Sequence, residues 1–188
     1  MMRILTLIVI AFSCCISRGA DKTVTNKELA FEITFPDTWI VNEHPAKGTA
    51  EGKSPVAAGA KFGAIVILTV DEENGGVVTN VEKNIVDSSD AALLKWEDTV
   101  LHAELRLIYK NYEQVEDIET KLAGNNAKKF TFYFDHEHTN ARYQRTDYIT
   151  VKAHKKYLIQ ILEPKSDYEI YSKDIDAIVQ SLKPIKKE

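Results

Sequence analysis

The sequence predicts an α+β fold in which a single antiparallel sheet is flanked by helices. Apolar and polar residues alternate over several short segments, which is typical of half-buried strands. Two longer segments carry apolar residues at helical spacing. The strand-like segments of the second half are joined by short polar turns, which favour antiparallel neighbours.

The first strand is predicted at Leu29–Phe35, because its apolar residues occupy every second position and Pro36 ends the pattern. A short second strand is expected at 39–41. The next segment, Asn42–Gly63, is rich in glycine and proline and is predicted to be a long loop. Ala64–Val70 is apolar on both faces, so it should be a central strand covered on both sides.

A helix is predicted to begin near 87–90, where Asp and Ser residues can serve as N-caps. Its expected apolar stripe consists of Leu93, Leu94, Val100, Leu101, Leu105, Leu107 and Ile108. Its expected solvent side carries Lys95, Asp98, His102 and Arg106.

The second half is predicted to contain four strands and a closing helix. The strands are expected at 115–122, 127–135, 142–153 and 157–162, with turns at 124–126 and 154–156. The helix should start at Ser166 or Asp167 and end before Pro184.

Residues 1–19 are predicted to be a signal peptide. Arg3 precedes a short apolar run, Ile4–Phe12, and small residues follow it. The run is shorter than the roughly 20 residues that cross a bilayer. We therefore expect an exported protein, periplasmic or secreted, whose single domain spans 27–183.

Two alternatives to free export stay open. Cys14 or Cys15 could carry a lipid, as in a lipoprotein signal, although Phe12 fits the residue pattern before the lipidated cysteine poorly. The leader could also remain as an uncleaved anchor. In the lipoprotein case the protein would be a membrane-anchored lipoprotein, held only by that lipid.

Composition excludes several classes of function. The two cysteines both lie in the leader, so the mature domain should contain neither a disulfide nor a thiol nucleophile. The net charge of −4 argues against a nucleic-acid partner, which requires concentrated positive charge. No nucleophile elbow, P-loop, dinucleotide fingerprint or His-Glu-x-x-His motif occurs, so no catalytic residue is assigned. Enzymatic activity stays open, because scattered residues can assemble a site.

One polar cluster could bind a divalent metal ion. Asp135, His136, Glu137 and His138 are consecutive, and residues two apart in an extended chain point the same way. The two imidazoles could therefore meet one ion, with a carboxylate assisting. The alternative is a solvated hairpin loop, where polar residues are expected anyway. No other cofactor is predicted.

Aromatic and charged residues elsewhere have two interpretations each. Trp39 and Trp96 are predicted to serve packing rather than ligand stacking. Tyr143, Arg145 and Asp147 share one face of their strand, and they either line a pocket or extend past the covering helix into solvent.

Three sequence segments resemble the PsbP-like fold. They are Phe35-Pro36-Asp37-Thr38-Trp39, the run Lys121-Leu122-Ala123-Gly124-Asn125-Asn126-Ala127, and the closing Ser181-Leu182. The resemblance extends over Lys27–Lys183 and implies an α/β/α sandwich. That group includes lumenal helpers of photosystem II, a nuclear Ran-binding protein and exported bacterial proteins. The resemblance therefore implies a binding or assembly module rather than an enzyme.

The favoured function is thus an exported, non-enzymatic binding or assembly-assisting protein whose protein or small-molecule ligand is not identified. The Asn42–Gly63 loop and the concave side of the sheet are the expected contact surfaces. The alternatives are a metal-binding or metal-delivery protein that uses residues 135–138, and a hydrolase of unrecognised type.

Overall fold

The computed structural model describes residues 19–44, 48–72, 78–80, 85–87, 89–137 and 141–185. The predicted signal segment through residue 18, with Cys14 and Cys15, lies outside them, and so does His138. The strands are β1 Lys22–Asn26, β2 Phe31–Phe35, β3 Ile40–His44, β4 Thr49–Lys53, β5 Ile65–Glu72, β6 Val78–Asn80, β7 Ile85–Asp87, β8 Glu113–Leu122, β9 Asn125–Asp135, β10 Arg142–Lys152, β11 Lys155–Pro164 and β12 Lys183–Pro184. The helices are α1 Asp90–Ile108 and α2 Tyr168–Ser181.

Seven strands form the main sheet, in the order β3-β4-β5-β11-β10-β9-β8, and every neighbouring pair is antiparallel. A small sheet, β1-β2-β12, packs on one of its faces, and β6 pairs with β7. The predicted α+β class is confirmed, and the two smaller sheets are additional to the single sheet expected. Neither described helix is both long and apolar enough to span a bilayer.

The segment predicted as one long loop, Asn42–Gly63, instead begins with a β-hairpin. Strands β3 and β4 pair from Ile40 opposite Lys53 to His44 opposite Thr49. The glycines of this segment are typical of a loop, but Gly52 lies within strand β4, where the absence of a side chain allows the Phe35 ring to pack closely. A Cβ built on Gly52 would lie 2.3 Å from Cδ1 of the buried Phe35 ring. Glycine within a strand often marks such a close approach rather than a loop.

Replacing Gly52 with alanine should therefore lower the free energy of unfolding by about 2 kcal/mol or more, because the new methyl group overpacks the core against Phe35. Denaturant unfolding measures the change. Asn42→Ala, an exposed site on the partner strand, is the matched control and should stay within about 0.5 kcal/mol of the parent. Equal stabilities of the two variants would contradict the packing account.

One face of the main sheet carries most of the apolar core. Val66, Leu68, Ile159 and Ile161 from β5 and β11 contact the small sheet and the apolar stripe of α2. Trp39 is fully buried in this core, as the packing prediction expects, and its Nε1 donates to Asp174 Oδ2 at 3.3 Å. This packing fixes α2 over the middle of the sheet.

Helix α1 covers the opposite face, with its predicted N-cap confirmed: Ser89 Oγ accepts a hydrogen bond from Ala92 N. Leu105 and the rings of Phe130, Phe132 and Phe134 form the core there. The predicted apolar stripe is wrong at its C-terminal end, where Leu107 is 87% exposed.

The stripe is displaced because Tyr109, one residue past α1, occupies the last position over the phenylalanine rings. Its ring centroid lies 4.4 Å from that of Phe134. Leu101, Leu105 and Tyr109 follow one another at intervals of four residues and face the sheet. Asp98 lies three residues before Leu101, and His102 lies three residues before Leu105, so both belong to the same face of the helix and also point toward the sheet. The prediction that these two polar residues face solvent is therefore wrong, and the side chain of His102 is only 15% exposed.

Candidate binding pocket

A pocket of about 390 Å³ lies where α2 meets the polar half of the main sheet. The strand register explains its composition. Ile161 of β11 pairs with Thr146 of β10, and Thr146 pairs with Thr131 of β9, which pairs with Glu116 of β8. Cross-strand partners share a face, so the apolar surface beneath α2 continues into a row of polar side chains. The lining comprises Val115, Glu116, Lys129, Thr131, Gln144, Thr146, Tyr148, Ile161, Glu163, Tyr168, Ser172, Ile175 and Asp176.

The wall of the pocket is a hydrogen-bonded network. The hydroxyl groups of Thr131 and Thr146 lie 3.1 Å apart, and Thr131 also donates to Glu116 Oε2 at 3.4 Å. Lys129 Nζ lies 2.6 Å from the same carboxylate oxygen. Burial alone would lower the pKa of Lys129, but the hydrogen bond to Glu116, the charge of Glu116 and the nearby Tyr148 and Tyr168 together outweigh it and raise that pKa above its ordinary value. Lys129 is therefore a cation already bound to Glu116.

Glu163 differs from the rest of the lining because its carboxyl group is nearly unpartnered. The residue is 1% exposed and sits at the end of β11 on the core face. Gln144 Nε2 donates to its Oε1 at 3.5 Å, a long contact. Within the described part of the chain, Oε2 has no hydrogen-bond partner. A buried carboxyl oxygen in this state requires an explanation, such as a functional role, a bound water or ion, or strain, because leaving it unsatisfied costs free energy.

The surroundings of Glu163 favour its neutral form. Burial raises its pKa to about 8, and the negative charge of Asp167 adds to the effect. Asp167 is held in place by the backbone N–H of Lys61 at 3.2 Å and by the hydroxyl of Ser166 at 2.8 Å. Glu163 is therefore a carboxyl group that changes its charge near neutral pH and lines a pocket, a combination that is enriched at functional sites.

The proposed metal ligands lie elsewhere, at the end of β9. Asp135 accepts hydrogen bonds from Asn111 Nδ2 at 2.6 Å and from Arg142 Nη1 at 3.0 Å, and these bonds lower its pKa. The His136 ring lies 5.1 Å from that of Tyr143. With His138 outside the described residues, a metal ion bound by Asp135, His136, Glu137 and His138 stays a prediction.

The three residues that share one face of β10, Tyr143, Arg145 and Asp147, are buried rather than exposed. Arg145 and Asp147 form an ion pair with N···O distances of 2.7, 2.8 and 3.1 Å, and Arg145 also donates to the Tyr109 hydroxyl at 2.6 Å. These residues face α1, so they do not line the pocket beneath α2. The idea that they extend past the covering helix into water is wrong, because α1 and Tyr109 reach over them.

A second polar cluster, which the sequence did not indicate, joins α1 to the edge of the sheet. His102 Nε2 lies 3.4 Å from Asp98 Oδ1 and 3.6 Å from Asp117 Oδ2. Such a set of atoms could hold a metal ion. However, Lys128 Nζ lies 3.7 Å from Asp98 and 3.4 Å from Asp117, so this ammonium group already supplies the positive charge.

Glu163 was not predicted as a site residue, although the sequence pattern places it in the core. Tyr157, Ile159, Ile161 and Glu163 occupy alternate positions, so the period that places the apolar residues in the core places Glu163 there too. The predicted strand stopped at Leu162, one residue before it. The polar partners on β8, β9 and β10 depend on strand register, which sequence alone does not fix.

Known proteins resemble this chain in fold but not in sequence. No family model matches the chain, and no curated protein matches it. Cyanobacterial PsbP (CyanoP) from Synechocystis sp. PCC 6803 superposes with a TM-score of 0.52 at 9% identity, over 93% of this chain and 97% of that one. The fold is PsbP-like.

Two further structures extend this PsbP-like group. The Ran-binding protein Mog1p of Saccharomyces cerevisiae has a TM-score of 0.54 at 11% identity, over 90% of this chain and 97% of its own. LpqN of Mycobacterium tuberculosis, involved in cell envelope biogenesis, has a TM-score of 0.55 at 9% identity, over 87% and 90%. At such identities the PsbP-like fold is what they share with this chain.

Proposed function

We propose that this protein is an exported binding or assembly-assisting module that holds a small ligand in the pocket beneath α2. The observation that carries the proposal is Glu163, a buried carboxyl group with one oxygen unpartnered in a pocket. Its export is supported by the signal-like leader at 1–19 and by the similar fold of LpqN, which is involved in cell envelope biogenesis.

The form of the pocket supports binding of a small molecule. Its volume of about 390 Å³ is within the range of small-molecule sites, roughly 300 to 1,000 Å³. Threonine, glutamine, tyrosine and carboxyl groups converge from four adjacent strands and α2, while Ile161 and Ile175 supply apolar contacts. Groups on rigid strands hold their geometry better than groups on loops. The sheet face beneath α2 is therefore favoured over the 54–63 loop as the contact surface.

Filling the pocket should abolish binding. Ser172 lines the pocket from α2, so Ser172→Phe would place a ring in the space that the ligand requires. We expect a screen of small amines, amides, carboxylates and sugars by ligand-observed NMR to find binders of the parent protein that Ser172→Phe loses. An affinity loss of more than about tenfold corresponds to at least 1.4 kcal/mol.

Lys173→Phe is the matched control, because residue 173 is exposed on the same helix and does not line the pocket. It should bind like the parent protein. Thermal unfolding must show that both variants fold. A screen without binders, or binders that Ser172→Phe retains, would contradict the proposal.

A further inference from the structure

We propose that the pocket beneath α2 selects a small organic cation with N–H donors, an amine or a guanidine, which binds to the carboxylate of Glu163. This inference rests on the proposed function and specifies the ligand class. Glu163 is 99% removed from solvent, lines the pocket, and has an oxygen without a partner in the described residues. A carboxylate in that position can accept charge-assisted hydrogen bonds, which are about twice as strong as neutral ones.

The charges around the pocket disfavour an anion. The ionisable groups that face it or lie behind it are Glu116 on β8, Lys129 on β9, Tyr148 on β10, Glu163 on β11, Asp167 on the turn before α2, and Tyr168 and Asp176 on α2. Lys165 lies beside them, with its ammonium group 3.8 Å from the Tyr133 ring centroid. The charge that acts on Glu163 is the negative one of Asp167. An anionic ligand beside Glu163 would therefore be repelled by the same charge.

The one cation of the lining cannot neutralise Glu163, because Lys129 is bound to Glu116 at 2.6 Å. Asp176 adds a carboxylate at the α2 side of the pocket. A ligand cation would thus supply the counter-charge that an ionised Glu163 does not find among the described residues. Tyr148 and Tyr168 also line the pocket, and their aromatic faces attract cations.

Binding of the cation should release one proton at neutral pH. In the empty pocket Glu163 is mostly a neutral acid, because burial raises its pKa to about 8. The ligand cation then replaces the proton: the neutral acid and the cation give the carboxylate–cation pair and a free proton. About one Glu163 in ten is ionised at pH 7 and about nine in ten at pH 9. Affinity should therefore rise about tenfold over that range.

Methylguanidinium is the probe, because it stays charged over this pH range, and acetamide and acetate are the neutral and anionic comparisons. Calorimetric titration of the folded protein should give a millimolar dissociation constant for methylguanidinium, a modest affinity suited to a ligand of this size. The constant should fall about tenfold from pH 7 to pH 9. At pH 7, titrations in buffers of different ionisation enthalpy should show release of close to one proton.

Two carboxylate variants and one control test the residue assignment. Glu163→Gln should remove the pH dependence and weaken binding at pH 9 by more than about tenfold, because the charged acceptor is gone. Asp176→Asn removes a charge at an exposed position. It should weaken binding by about two- to threefold, because only the solvent-screened electrostatic attraction between this carboxylate and the ligand cation is lost. Glu169→Gln removes a charge from α2 outside the pocket lining and should change nothing.

The outcomes separate the ligand class from the site. If acetamide or acetate binds and Ser172→Phe blocks it while methylguanidinium does not bind, the cation proposal is overturned and the pocket proposal stands. If methylguanidinium binds without proton release, or equally well to Glu163→Gln, Glu163 is not its anchor and the inference fails. If no probe binds, and the wider screen is also empty, both proposals fail.

Discussion

Replacing Asp147 with alanine should lower the free energy of unfolding by about 3 to 5 kcal/mol, because it leaves the buried guanidinium of Arg145 without its counter-charge. Asp147 is 0% exposed, and three short contacts join its carboxylate to Arg145. In the parent protein the charge and hydrogen bonds of Asp147, together with Tyr109, outweigh burial and raise the pKa of Arg145. Without Asp147, burial favours loss of the proton, but a guanidinium is too basic to lose it in a protein, so an unpaired charge stays buried. Urea unfolding at pH 7 measures the loss.

The double variant Arg145→Met/Asp147→Leu is the informative control for this prediction. Removing both charges leaves no unpaired ion, so we expect it to be more stable than Asp147→Ala despite two substitutions. The Tyr109 hydroxyl, which accepts a hydrogen bond from Arg145, would lose this partner, so the double variant need not match the parent. A loss below about 1 kcal/mol for Asp147→Ala would mean that water reaches Arg145.

Glu163 should make the protein less stable as the pH rises from about 5 to about 8. The folded protein keeps the Glu163 proton up to about pH 8, whereas the unfolded chain releases it near the ordinary pKa of 4.5. Between these values the folded state binds more protons, so its stability falls with rising pH and levels off above pH 8. Ionising this buried group should cost about 4 kcal/mol over the whole range.

Glu163→Gln isolates this contribution, because the glutamine side chain has nearly the same shape as that of glutamate but does not ionise. The variant should match the parent protein near pH 5 and exceed its free energy of unfolding by up to about 4 kcal/mol at pH 9. Chemical unfolding of both proteins at several pH values gives the difference between their free energies of unfolding as a function of pH. The contributions of all other titrating groups cancel in this difference. A flat difference curve would show that Glu163 is ionised in the folded protein at all these pH values, contrary to its burial.

The order of strands and helices was largely readable from the sequence, and the reasons are local. Alternation in 29–35 and 127–135, the Ser89 cap and the short turns of the second half are all properties of neighbouring residues. Strand β4 was missed because Gly52 and Gly48 resemble loop residues. Gly52 is required by the distant Phe35 ring, which no local pattern reveals.

The candidate site was less predictable because it depends on register. Glu163, Gln144, Thr131 and Glu116 come from four strands and meet only through the pairing of β8, β9, β10 and β11. The rotation of α1 shows the same limit. Its apolar residues allowed two faces, and the position of Tyr109 over Phe134 selected the one that buries His102.

Successive side chains of strand β10 point to opposite faces of the sheet, where they meet two different environments. Arg145 and Asp147 form the ion pair on the α1 side, while Gln144 and Thr146, which alternate with them along the strand, line the pocket on the α2 side. Inserting or deleting a single residue in β10 would exchange these sets, placing a guanidinium in the pocket and a threonine under α1. A change in the length of this strand between its two hairpins would therefore disrupt the ion pair and the pocket together.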